Sequence, residues 1–182
     1  MPRLPNMTDR DEVPAELAEA YDRVAALRNG AVSGPYGVLL HSPQLAEQAA
    51  ALGQYVRWNS DLTPAQRETA VITAARQLDA RLMWGAHVRL AREAGVREEV
   101  IDTVGQRADL GDLTEEEAGI VRYVRELLHA NRVTNHAFEA LRTIVGDQGI
   151  VDLTGLVGYY ALVGFTLNAF EIEPAEGAEP LP

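Results

Sequence analysis

Glu68 and His87 are the residues whose types and spacing point most directly to chemistry. Each lies on an apolar stripe that recurs with the period of a helix. The stripe of Glu68 continues through Val71, Ile72, Ala75 and Leu78, and the stripe of His87 comprises Leu82, Met83, Ala86, Leu90, Ala91 and Ala94. A turn near residues 79–81 would fold the two helices back antiparallel. Because an unpaired buried charge is costly, we expect the carboxylate and the imidazole to meet.

A carboxylate beside a buried imidazole is an arrangement that suits acid–base chemistry. The carboxylate fixes the tautomer of the ring, so that the far nitrogen of His87 stays available to take or give a proton. Such a pair can also simply hold two helices together, and the spacing by itself leaves both interpretations open. Trp84, one turn before His87, is either a core aromatic or the wall of an apolar pocket that covers a flat ligand.

The elements that position this pair are predicted to be helices. Start and stop signals recur along the chain: Ser42-Pro43, the capping boxes of Thr63 with Gln66 and of Thr114 with Glu117, and Gly95 after the His87 stretch. Hardly any stretch has the alternation of a strand. The pattern predicts an all-α fold of about seven or eight helices. We expect one domain over residues 1–182, with its core in 35–172 and a loosely ordered acidic tail in 173–182.

The composition narrows the classes of function. The 182 residues carry a net charge of −11, and all 16 basic residues are scattered arginines, so no nucleic-acid-binding face is predicted. An anionic substrate would therefore need a locally cationic pocket. The chain has no cysteine and no lysine, which excludes thiol redox chemistry and a lysine Schiff base.

The sequence predicts neither a membrane-spanning helix nor a metal site. The apolar run 149–170 contains Asp152 and Asn168, so we interpret it as a buried or interface helix and not as a membrane span. His129 and His136 are seven residues apart, whereas a metal-chelating pair on one helix needs a spacing of about three or four. No metal site is expected. The N-terminus lacks the apolar core of a signal peptide, which makes the cytoplasm the expected location.

The sequence resembles a known family over most of residues 35–172. The stretch QRETAVITAARQLDARLMWGAHVRLAREAGVREEVID, residues 66–102, is similar to the core of the carboxymuconolactone decarboxylase and AhpD-like superfamily. The likeness continues in LLHSPQLAEQAAALGQYVRW and LVGYYALVGFTLNAFEI. It implies an AhpD-like helical bundle, a homo-oligomer (dimer, trimer or hexamer), and that Glu68 and His87 are the family's glutamate and histidine. AhpD-type members carry a CxxC pair where this chain has Ala80 and Met83, so the resemblance is to the cysteine-free, decarboxylase-like branch.

The resemblance implies a reaction that needs no cofactor. The decarboxylase that names the family acts on a butenolide carboxylate, whose ring can spread the electrons left by carbon dioxide onto the lactone carbonyl. In that reaction protonated His87 would polarise the carbonyl or deliver the proton, and Glu68 would orient it. The carboxylate would be held by an arginine, with Arg76 and Arg57 as the alternatives.

Three further positions are expected to contact the small-molecule substrate: Trp84 as a pocket wall, Trp58, and His41 near the pocket mouth. The same acid–base pair could isomerise a double bond, open a lactone or remove a proton beside a carbonyl, since each passes through an enolate-like anion. A second hypothesis belongs to another class, a non-catalytic helical oligomer that binds a small apolar ligand or a protein partner. A cavity that adjoins His87 would favour the enzyme, and a closed Glu68–His87 pair would favour the binding protein.

Overall fold

Residues 2–182 are described by a computed structural model, and the regular secondary structure in this range is helical, with no strand. The eight α-helices are α1 Ala18–Leu27, α2 Tyr36–Leu39, α3 Pro43–Gln54, α4 Pro64–Gln77, α5 Arg81–Glu93, α6 Glu98–Gly105, α7 Glu115–Ala130 and α8 Asn135–Ala169. Two short 3₁₀ turns precede α1, and a π-helical turn, Tyr55–Asn59, follows α3 directly. The predicted all-α fold is confirmed.

Both predicted capping boxes are present. The Thr63 hydroxyl accepts from the backbone N–H of Gln66, whose side chain accepts from the N–H of Thr63 in return. Thr114 and Glu117 make the same exchange at the start of α7. These bonds satisfy N–H groups that the first helical turn would otherwise leave unpaired, which is why this local sequence predicts the helix starts so well.

Two other boundaries follow from backbone preferences. Pro43 occupies the first turn of α3, although the Ser42 side chain makes no capping hydrogen bond. Gly95 lies just beyond α5 with a φ of +84°, the left-handed conformation that ends a helix and that glycine adopts without strain.

The buried apolar residues form two clusters. In the larger cluster α4 lies at the centre, packed against α5, α7 and α8, and its residues 68–75 are all buried. The smaller cluster joins α1, α2 and α3 with the N-terminal segment and includes Val24, Tyr36 and Leu40. The candidate site described below takes side chains from both clusters.

Helix α8 is interrupted at Gly146, whose φ of 75° and ψ of 178° are not helical. The helix is long and apolar enough to cross a membrane, but 61% of its most apolar window is buried inside the protein, as in a core helix. Its buried face contributes Tyr159 and Tyr160 to the larger cluster.

The acidic tail 173–182, expected to be loose, lies against the helices. The Glu179 carboxylate pairs with the Arg92 guanidinium of α5, and a Cβ on Gly85 would come within 2.9 Å of the Glu179 carbonyl oxygen. Leu181 packs against the larger cluster. The tail therefore covers the side of α5 that carries Gly85.

Candidate active site

Glu68 and His87 meet between α4 and α5, as the periodicity of the sequence predicts. The Nδ1 atom of His87 lies 2.7 Å from Oε2 of Glu68 and donates to it. His87 is only 7% exposed and Glu68 only 5%. The turn between the helices includes Asp79 in a left-handed conformation, with a φ of 48°, and returns the chain antiparallel. The bond occupies Nδ1 and leaves Nε2 as the ring nitrogen able to act on a ligand.

A third charged group stands next to this pair. The Nε atom of Arg67 lies 3.8 Å from Oε1 of Glu68, and the arginine side chain is largely buried. The carboxylate therefore has a cation on one side and the imidazole on the other. This arrangement stabilises the charge of a carboxylate that is almost removed from water.

A cavity of about 300 Å³ opens beside His87. One wall is the apolar stripe predicted for α5, from which Leu82, Met83, Ala86, His87 and Leu90 all line the space. The volume is at the lower end of the range for small-molecule sites, about 300–1,000 Å³. Glu68 lies behind His87, outside the lining, so the pair reaches a ligand through the imidazole.

The opposite side of the cavity is cationic and aromatic. Arg28 comes from the residue after α1, and Arg57 comes from the π-helical turn after α3. In the part of the chain that the structure describes, the buried Nε of each arginine has no hydrogen-bond partner. No carboxylate is among the residues that line the cavity in that range. Two guanidinium groups thus give the space a positive charge on a protein whose net charge is −11.

Three tyrosines complete the lining. The hydroxyl groups of Tyr36 and Tyr159 are 2.8 Å apart and share a hydrogen bond, and the Arg28 guanidinium carbon lies 3.9 Å from the centre of the Tyr36 ring. The Tyr160 ring stands edge-on to the imidazole of His87, with 5.1 Å between ring centres. Burial raises the pKa of Tyr160 well above its ordinary value, while the nearby charge of Arg57 acts weakly in the opposite direction.

Among residues 2–182, the four side chains expected to contact substrate beside the pair lie outside the cavity lining. Trp84 is 1% exposed and packs in the core near Gly105, because it projects from the neighbouring face of α5. The exposed His41 ring has Nε2 3.0 Å from the carbonyl oxygen of Pro5. Trp58 is 46% exposed beneath the Arg57 guanidinium.

Arg76 is the fourth of these residues, and its hydrogen bonds explain its position. Its Nε donates to the carbonyl oxygen of Gly105 at 2.7 Å, and its Nη1 pairs with Asp79 at 2.6 Å. It therefore joins the end of α4 to the end of α6. Of the two arginines that the sequence left open as carboxylate partners, only Arg57 lines the cavity.

Sequence reasoning did not identify Arg28, Tyr36, Tyr159 or Tyr160 as site residues. The loop 28–43 carried one signal, since glycine and proline turns surround Tyr36 there. The adjacent tyrosines of α8 carried another, because tyrosine hydroxyl groups that are buried usually need a partner. Neither signal could be connected to His87 without knowing how α8 and the loop pack.

A family profile matches residues 43–143, a range that includes both Glu68 and His87, and its description is the carboxymuconolactone decarboxylase family. The chain belongs to this family. The sequence contains no cysteine. Among curated proteins none matches the sequence significantly.

Two solved structures share the fold of this family member. One is a protein of unknown function from Agrobacterium tumefaciens, described as a candidate antioxidant defence protein of the AhpD type. It is 22% identical to this chain, with a TM-score of 0.66, and the match covers 76% of this chain and 97% of the Agrobacterium chain. The other is the debrominase Bmp8 in its apo form, with 11% identity and a TM-score of 0.73 over 96% of this chain and 93% of that one. At these identities the likeness shows the fold alone.

Proposed function

We propose that this family member is an acid–base enzyme that needs no cofactor and converts a small lactone or carbonyl carboxylate through an enolate-like intermediate, by decarboxylation or isomerisation. One observation carries the proposal: His87 is bonded to the buried Glu68 on one side and lines a cationic cavity on the other. A carboxylate that orients an imidazole, with the imidazole next to a ligand space, is an arrangement suited to general acid–base catalysis.

The cavity's charges fit the first need of this reaction, which is to hold an anion. Arg28 and Arg57 have buried Nε–H groups with no partner in residues 2–182, so a substrate carboxylate would satisfy donors that the protein itself does not. Charge-assisted bonds from guanidinium groups to carboxylates are among the strongest that side chains make. These two residues are proposed to bind the carboxylate.

The proton-transfer step follows from the position of His87. In decarboxylation the bond from ring carbon to carboxylate breaks, and its electron pair moves through the double bond to the carbonyl oxygen. Protonated His87 then delivers its Nε2 proton to carbon, and Glu68 stabilises the imidazolium before the transfer. In isomerisation the same nitrogen removes a proton at one carbon and returns it at another.

The non-catalytic alternative has less support from the site. That alternative is an oligomer that binds a small apolar ligand or a protein partner, and an apolar ligand in the cavity beside His87 would offer no acceptor to the buried Nε–H groups of Arg28 and Arg57, which have no partner in residues 2–182. These two partly unsatisfied arginines would also lower stability without a ligand. The cavity and its charges therefore favour the enzyme.

The test is to incubate the protein with butenolide and β,γ-unsaturated keto carboxylates in D₂O. Carbon dioxide release reports decarboxylation, and proton NMR reports deuterium entering the substrate, which detects isomerisation as well. Deuterium should enter at least one compound, with carbon dioxide release as well if that compound is decarboxylated, and both signals should vanish in His87→Asn. If no compound exchanges deuterium faster than with buffer alone, the acid–base proposal fails.

We also propose that the chain forms a homo-oligomer through α8. Its exposed edge is a row of apolar and small residues, among which Val151 and Phe165 are 68% and 61% exposed. Large apolar side chains in a row on a surface are typical of protein interfaces. Sedimentation velocity should show a multimer that Phe165→Glu converts to a monomer, and a monomeric wild-type protein would contradict the proposal.

A further inference from the structure

Tyr160 has a hydroxyl group that the protein's own interactions do not explain. The residue is 3% exposed, and within residues 2–182 its hydroxyl oxygen has no hydrogen-bond partner. A buried hydroxyl without a partner lowers stability, so a phenylalanine would serve folding at least as well. Tyr160 is one of the residues that line the cavity beside His87, so this hydroxyl is buried at the edge of the ligand space.

The neighbouring Tyr159 shows what a hydroxyl with a structural role looks like in the same helix. Its hydroxyl shares a 2.8 Å hydrogen bond with that of Tyr36, and this bond connects α8 to α2 across the two apolar clusters. The two adjacent tyrosines thus differ in their hydroxyl groups. The Tyr159 hydroxyl forms a hydrogen bond that joins two helices, and the Tyr160 hydroxyl forms no hydrogen bond within residues 2–182.

The surroundings of Tyr160 keep its hydroxyl a donor. Burial raises the pKa of the phenol, so the proton stays on the oxygen at neutral pH. The charged groups that act on it are Arg57, Glu68 and Arg28, and the two arginines favour negative charge at this place in the cavity. A neutral donor beside two cations is suited to an oxygen that becomes negative during a reaction.

We infer that Tyr160 is a catalytic donor, whose hydroxyl binds the oxyanion that forms on the substrate next to His87. This inference rests on the proposed function, since it names the group that receives the charge of the enolate-like intermediate. It assigns the two arginines to the carboxylate and the phenol to the carbonyl oxygen.

The placement of the two rings supports this division. The Tyr160 ring and the His87 imidazole are 5.1 Å apart between centres and nearly perpendicular, at 88°. A small carbonyl compound in the cavity, which both residues line, would contact both side chains. When its oxygen accepts from the Tyr160 hydroxyl, the α-carbon, where an enolate is protonated, is left to the imidazole.

The experiment uses 4-nitrophenolate as a probe of the oxyanion and nitrobenzene as its neutral analogue. At a pH where the probe is ionised, wild-type protein should bind 4-nitrophenolate, and its absorbance band should shift on binding. Tyr160→Phe should weaken that binding about tenfold or more, since a hydrogen bond to a charged group is lost. Binding of nitrobenzene should be unchanged.

Tyr123→Phe is the matched control, because Tyr123 is a buried tyrosine outside the cavity lining. It should lower the midpoint of urea unfolding because it breaks the 2.8 Å bond between the hydroxyl groups of Tyr123 and Thr154, and it should leave 4-nitrophenolate affinity within about twofold. Tyr160→Phe should instead keep or raise the unfolding midpoint. A midpoint lowered as in Tyr123→Phe, an unchanged phenolate affinity, an equal loss for nitrobenzene, or no phenolate binding by wild type would each overturn the inference.

This test separates the inference from the proposed function. Binding and unfolding are measured without turnover, so the assignment of Tyr160 stands or falls on its own readouts. If phenolate binding depends on Tyr160 but no carboxylate exchanges deuterium, the oxyanion site is retained and the proposed reaction is wrong.

Discussion

His87 and Glu68 lie 19 residues apart in the chain, and their Nδ1 and Oε2 atoms are 2.7 Å apart on neighbouring helices. The bond is buried, yet the imidazole also lines the cavity. The consequence is that the carboxylate orients a ring that a ligand can touch, while it is itself shielded from the ligand. Each side chain can therefore be altered with a distinct expected effect.

Replacing His87 by asparagine should abolish turnover without loss of the fold. The asparagine amide can donate to Glu68 as Nδ1 does, but it cannot exchange a proton. We expect deuterium exchange into the best substrate to fall by about 10²–10⁴-fold, with the urea midpoint close to that of wild type. His87→Ala is the comparison, since it leaves the Glu68 charge without its partner and should unfold more easily. An active His87→Asn protein would show that the histidine is structural.

Much of the fold could be predicted because its signals are local. The capping boxes at Thr63 and Thr114 involve residues three apart, and a stripe of helical period needs only a neighbouring helix to pack on. For the same reason the meeting of Glu68 with His87 could be predicted from two short stretches. The signals for an all-α chain did not depend on how the helices are arranged.

The far side of the site could not be predicted, because it depends on that arrangement. Arg28 lies 59 residues before His87 and reaches the cavity from the end of α1, so its place depends on how α1 packs against the rest of the protein. Trp84 shows a second limit. Helix α5 is buried on two faces, one against the core and one along the cavity. The helical periodicity of the sequence does not show on which of these faces Trp84 lies.

Glu117 should make stability depend on pH in acid. Its bonds with Arg97, at 2.9 and 2.6 Å, and its place in the α7 capping box lower the pKa of the carboxyl to about 2. Because the pKa is lower in the folded state, the stabilisation is complete above the ordinary value near 4.5 and is lost as pH falls towards 2. Glu117→Gln should lower the free energy of unfolding by about 1 kcal/mol at pH 7, because solvent screens a pair whose Arg97 side chain is 43% exposed, and by much less near pH 2.

The control for this pH dependence is Glu115→Gln. Glu115 is exposed and lies in the same first turn of α7, and its carboxylate bonds to no other side chain within residues 2–182. Its effect should be within about 0.5 kcal/mol at every pH. Urea titrations across the acid range measure both variants. Equal pH profiles for the two would show that the Arg97 pair contributes nothing.

Gly146 should be the glycine of α8 that the backbone conformation requires. Its φ of 75° and ψ of 178° belong to a region that is open essentially to glycine alone, and no atom lies within 4 Å of where a Cβ would be. Gly146→Ala should therefore lower the free energy of unfolding by about 1–3 kcal/mol through backbone strain and not through a clash. Gly158→Ala, where the space is also open but the backbone is helical, should raise it by about 0.5–1 kcal/mol. A neutral Gly146→Ala would mean that α8 is continuous in solution.

Arg57 and Arg76 distinguish a ligand-binding arginine from a structural one. Arg57→Met should raise the KM of a carboxylate substrate about tenfold or more, because a charge-assisted bond is lost. It should lower the unfolding midpoint less than Arg76→Met, since its buried Nε has no partner in the described chain and the guanidinium contacts the Trp58 ring. Arg76→Met should do the reverse, since it breaks bonds to Gly105 and Asp79 far from the lining. Steady-state kinetics gives the KM of each variant, and urea unfolding gives the midpoint of each. If Arg76→Met raised KM and Arg57→Met did not, the carboxylate would lie outside the cavity beside His87.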